Sequence, residues 1–184
     1  MCKRKGGYET MKTYKLFRIK DGKLYPLYVN ANKETAIGKW IKAEAGERLV
    51  NGKVKSRLGG LAYRPGWHSS DVPVALHIGE KENKGDKAPS YRPDNQVWCE
   101  CEVKDTKSSY WSDKADKAGK NPKDKQLKEI PVHGWYRYKT NPNMYGSWII
   151  SGEIKIIRIL SDTQVYEINA KHGVHDLPRR KNCA

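Results

Sequence analysis

The sequence holds no run of apolar residues approaching the ~20 needed to cross a bilayer, and no apolar stretch follows the first methionine. No membrane partner and no signal peptide are therefore expected. It has no Walker loop, no GxGxxG after a strand and no HExxH. Its four cysteines, Cys2, Cys99, Cys101 and Cys183, form no CxxC pair and no disulfide framework. Free thiols in a reducing, cytoplasmic compartment are the expectation. The histidines His68, His77, His133, His172 and His175 show no spacing that calls for a metal. Phenylalanine occurs once, and hydrophobic residues make up only 37% of the chain.

Against that scarcity stand six tryptophans and eleven tyrosines. Each aromatic side chain buries a large area, so a packed core is attainable and full disorder is not expected. The length of 184 residues suits one domain with tails. Net charge is +15, and the first 60 residues carry 15 basic against 5 acidic side chains. A basic field favours polyanions: a nucleotide or other anionic ligand, nucleic acid, or an acidic protein.

Along the chain, Tyr14-Lys-Leu-Phe-Arg-Ile-Lys alternates, Asp21-Gly22 marks a turn, and Leu24-Tyr-Pro-Leu-Tyr-Val follows, as a hairpin requires. Residues 33–47 fit a short helix or a strand. Val97-Trp-Cys-Glu-Cys-Glu-Val reads as a strand with both cysteines on one face. Residues 104–129, rich in Lys and Asp, read as an exposed, mobile insertion that buries almost nothing. Trp135, Arg137 and Lys139 share one face of a further strand and could stack a base and hold a phosphate.

Trp148 to Leu160 is the densest β-branched run, read as a strand pair or one long strand bent at Gly152. Ser161 and Asp162 can cap a short helix containing Val165 and Ile168. The expected fold class is α+β, a mostly antiparallel twisted sheet with one or two short helices. Its expected limits are 13–170, between a flexible basic segment 1–12 and a flexible tail 171–184.

The site reading rests on Gly66-Trp-His-Ser-Ser, a turn-rich loop mixing aromatic and polar groups. Trp67 offers a stacking face, His68 and the hydroxyls of Ser69 and Ser70 can bond a sugar, and Arg18 can hold an anion. A purely structural loop is the alternative for each of these residues.

This loop, Val97-Trp-Cys-Glu-Cys-Glu-Val, Tyr136-Arg-Tyr-Lys-Thr-Asn-Pro and Trp148-Ile-Ile-Ser-Gly-Glu-Ile-Lys together resemble a domain of phages and bacterial mobile elements. The resemblance spans roughly residues 14–169 and brings no established activity. The chain is also similar, more faintly, to the ADP-ribosyltransferase superfamily. That likeness implies an ADP-ribosyltransferase-like sheet, NAD as cofactor and Arg18 on a phosphate. Gly66-Trp-His-Ser-Ser stands as its second motif. The superfamily's glutamate should open the Trp148 strand, but Gly146-Ser147-Trp148 stands there and Glu153 lies beyond Gly152. Catalysis by Glu153, with His68, depends on that displaced position.

Together these features suggest a phage or mobile-element accessory protein with a nucleotide-binding cleft. The alternative is a non-enzymatic basic protein that binds nucleic acid or a host defence component, such as a CRISPR or nucleotide-signalling system.

Overall fold

The computed structural model describes residues 8–181. Strands β1 (Thr10–Lys20) and β2 (Lys23–Tyr25) form the expected hairpin. Its turn residues Asp21 and Gly22 have φ of 50° and 74°, the left-handed pair that matches strand twist. There follow β3 (Trp40–Lys42), the small hairpin β4 (Val54–Ser56) and β5 (Gly59–Leu61), then β6 (Trp67–Ser70), β7 (Tyr91–Arg92) and β8 (Gln96–Lys104). Helix α1 (Ser108–Ala118) precedes β9 (Trp135–Tyr138), β10 (Trp148–Ser151) and β11 (Glu153–Ile159). Helix α2 (Asp162–Ala170) and β12 (Arg179–Arg180) complete the order. The main sheet runs β3-β11-β8-β1-β6-β10-β9, with β2 on β1, and all its pairings are antiparallel. The fold is therefore α+β with a mostly antiparallel sheet.

β10 and β11 are separated in sequence by Gly152 alone, yet three strands lie between them in the sheet. The chain can make that passage only if the sheet curls on itself. Gly152 N–H donates to Gly134 O at 3.1 Å, and Gly152 O accepts from Ala43 N–H at 2.8 Å. A Cβ at Gly152 would stand 2.4 Å from Pro131 O, so glycine is needed for close approach. Across the curl, Trp67 Nε1 donates to Ile41 O at 3.0 Å.

The concave face collects Phe17, Cys99, Cys101, Val103, Ile154 and Ile156, all fully buried. These are small or β-branched side chains apart from one ring, which suits a narrow interior. The convex face is covered at two places. Tyr14, Leu16 and Trp98 pack with Leu160 and with Val165 of α2. Ile150, Tyr136 and Tyr138 pack with Trp111 and Ala115 of α1 and with Leu127. α2 starts with the expected cap: Ser161 Oγ accepts from Gln164 N–H while the Gln164 side chain bonds back to Ser161 N–H.

Several expectations need correction. Residues 104–129 do not bury almost nothing. They carry the eleven-residue α1, and Trp111, Ala115 and Leu127 enter the core. Trp111 Nε1 also donates to Val132 O at 3.0 Å. The Lys/Asp-rich composition conceals an i, i+4 pair on one helix face. Of the two readings left open for residues 33–47, helix and strand, the structure has the strand, β3.

The 171–184 segment, as far as Lys181, is not a loose tail. Val174 is buried, and β12 pairs in parallel with β7. Arg180 donates to Asp162 Oδ2 at 2.9 Å, Pro93 O at 3.0 Å and Gln96 O at 2.8 Å. The Arg180 part of that anchor is polar, and hydrophobic patterning could not reveal it. Of the segment 1–12, residues 1–7 lie outside the described residues, and Thr10 to Lys12 already belong to β1.

Candidate functional site

β1 and β6 meet at a single register pair, Tyr14 with Ser70. Beyond it no ladder joins them, and a cleft of about 340 Å³ opens there. Its walls come from β1 and β8 (Tyr14, Lys15, Leu16, Trp98), the chain after β2 (Leu27, Tyr28, Asn30) and the β4–β5 hairpin (Val54, Leu61). Arg64, Gly66, Trp67, His68 and Ser69 continue the wall, together with His77, Tyr138 and Trp148. An apolar, aromatic concavity with a few polar groups is the usual form of a small-molecule site.

Lys15 stands where the ladder stops. Its Nζ donates to His68 O at 2.7 Å, and it lies 5.6 Å from the Phe17 ring centroid and 5.7 Å from that of Trp67. Burial pushes its pKa down to about 8. The neighbouring thiols are neutral: burial raises Cys99 to about 12 and Cys101 further.

His68 Nδ1 lies 3.2 Å from Gly66 O. A carbonyl only accepts, so Nδ1 carries the proton and Nε2 presents a lone pair. Nε2 is buried and has no hydrogen-bond partner among the described residues. Burial, and then the positive charges of Arg64 and Lys15, lower the His68 pKa to about 3, so the ring is neutral at physiological pH. The turn that places it needs Gly66, at φ 136°, where a Cβ would meet Ile150 Cγ2 at 2.4 Å.

Arg64 Nη1 donates to Tyr138 Oη at 2.5 Å, while its Nε is buried without a partner among the described residues. Burial raises the Tyr138 pKa, opposed by Arg64. His77 packs edge-on against Trp148, centroids 5.7 Å apart, and burial lowers its pKa. Glu44, the carboxylate in the lining, is exposed and paired with Lys33.

Of the residues singled out from sequence, Trp67, His68 and Ser69 line this cleft. Ser69 Oγ is buried and unpartnered among the described residues. The Trp67 ring also packs on the concave face, 6.5 Å from Phe17. Ser70 is outside the lining, its hydroxyl donating to Val72 O at 2.5 Å. Arg18 lies further along β1, where Nη2 donates to Ala31 O at 2.6 Å and the guanidinium covers Tyr25 at 5.5 Å. Glu153 is on β11, buried, and accepts from His133 Nδ1 at 2.9 Å. Neither Arg18 nor Glu153 lines the cleft.

Sequence reasoning missed Lys15, Arg64, Tyr138 and Trp98. Arg64 had a signal, since it stands two residues before Gly66 in the same turn-rich loop. Lys15 had one too, an alternation that sets a cation between buried Tyr14 and Leu16. Among the described residues, no group of three His, Cys, Asp or Glu side chains gathers to hold a metal.

No family model matches the chain, and no curated protein or solved structure matches it.

Proposed function

We propose that the cleft binds a nucleotide or a similar planar, anionic small molecule, and that the protein acts by binding it. The observation that carries this reading is the lining itself. Tyr14, Tyr28, Trp98, Tyr138 and Trp148 offer ring faces and edges, and Lys15 and Arg64 stand among them as cations. Stacking suits a base, and a guanidinium with an uncommitted N–H suits a phosphate. The unpartnered His68 Nε2 and Ser69 Oγ suit a base or sugar hydrogen bond.

NAD, which the ADP-ribosyltransferase likeness implies, is one such ligand. Turnover of NAD would require a carboxylate beside its ribose. Glu153 is engaged by His133 outside the cleft, so binding without turnover is the reading favoured. The sequence resemblance to phage and mobile-element domains supplies only the proposed setting, an accessory protein, and no activity of its own.

Thermal unfolding with ATP, NAD and nicotinamide in turn tests the proposal. Binding to the native state should raise the melting temperature with ligand concentration. Arg64→Ala should abolish the rise. No shift with any nucleotide, together with nucleic-acid affinity that falls steeply with salt, would transfer the function to the basic surface.

A further inference from the structure

Lys15 is the lysine that lines the cleft. The residue is partly exposed, while its amine is held by one main-chain oxygen, that of His68, at 2.7 Å. Among the described residues it forms no ion pair with a carboxylate. Burial is what lowers its basicity, and the nearby thiols of Cys99 and Cys101, themselves kept neutral by burial, supply no counter-charge. Phe17 and Trp67 flank it. A desolvated amine without a counter-ion, at the wall of an aromatic cleft, has the surroundings of a nucleophilic lysine and not of a structural cation.

We propose that Lys15 is a covalent capture site for a carbonyl compound: an aldehyde or ketone seated in the cleft condenses with the ε-amine. The nitrogen lone pair attacks the carbonyl carbon and forms the C–N bond. The carbonyl oxygen then leaves as water, taking two protons from nitrogen, and a C=N imine remains. No oxidant or reductant takes part. The depressed basicity of Lys15 supports the step. At pH 8 about half of such an amine is neutral, against less than about one part in a hundred of an exposed lysine. An apolar wall also disfavours return of the water. The natural ligand class is a planar aromatic or sugar-derived carbonyl compound small enough for the cleft. This inference stands apart from the nucleotide reading, because a carbonyl ligand need carry no phosphate.

The experiment uses the full chain with pyridoxal 5′-phosphate, and in parallel pyridoxal without phosphate, followed by borohydride to reduce any imine and by peptide mapping. Lys15 should carry the adduct with both probes, at roughly ten-fold higher yield than exposed Lys81 and Lys84. Its labelling should rise with pH through about pH 8. Lys15→Arg, checked for an unchanged melting transition, should lose that adduct alone. If the variant does not fold, the map of the unaltered protein decides by itself. Adducts spread evenly over surface lysines, or none on Lys15, would overturn the proposal. So would labelling that persists in Lys15→Arg. Nucleotide-dependent stabilisation is read separately, so either proposal can fail without the other.

Discussion

Lys15 Nζ donates to the main-chain oxygen of His68 at 2.7 Å, at the place where β1 and β6 cease to pair. A strand residue on β1 thereby ties down the β6 residue whose ring helps line the cleft. Both groups hold less charge than they would in water, since burial lowers each pKa.

The first prediction concerns pH. His68 is expected at about 3 in the folded protein and near 6.5 unfolded, so the unfolded chain binds more protons between those values. Stability from this group is complete above pH ~6.5 and is lost as pH falls towards 3, with a slope approaching about 1.4 kcal/mol per pH unit. Lys15 gives the same sign higher up, losing stability as pH falls from ~10.5 to about 8. Urea unfolding of the parent and His68→Gln from pH 7 to 4 measures the first effect. Parallel curves for the two proteins would refute it.

The second prediction concerns the concave core. Ile156 is fully buried among Cys101, Val103 and Ile154. Ile156→Ala should cost ~2–5 kcal/mol, from lost transfer energy and the cavity left behind. An unchanged denaturation midpoint would remove it from the core.

Helix α1 supplies the third. Trp111 is 8% exposed and covers Tyr136 and Ile150. Trp111→Ala should cost ~3–5 kcal/mol, whereas Lys117→Ala, on the exposed side of the same helix, should change stability by less than ~0.5 kcal/mol. Equal effects would mean that the helix is not packed on the sheet.

The passage from β10 to β11 supplies the fourth. Gly152→Ala would press a methyl group 2.4 Å from Pro131 O, where the neighbour is backbone and cannot swing aside. A loss of ~1–3 kcal/mol is expected. Gly85→Ala, where a Cβ meets nothing within 4 Å, should be nearly neutral. Thermal melts of the two variants compare them directly.

What could be read from the sequence was local. The Asp21-Gly22 turn, the β-branched run from Trp148 to Leu160 bent at Gly152, the Ser161 cap and the placement of Cys99 and Cys101 on one face of a strand each follow from neighbours a few residues apart. Periodicity and propensity report on that range. The antiparallel α+β class follows from the order of such elements.

Tertiary structure decided the rest. Curling through Gly152 set Trp67 against Ile41, 26 residues earlier, and Arg64 on Tyr138, 74 residues later. It left Arg18 and Glu153 outside the cleft that Trp67, His68 and Ser69 share with Lys15. Which face a strand side chain occupies is written in alternation. Which distant strand it then meets is set by register and closure of the whole sheet, and no short stretch of sequence carries that information.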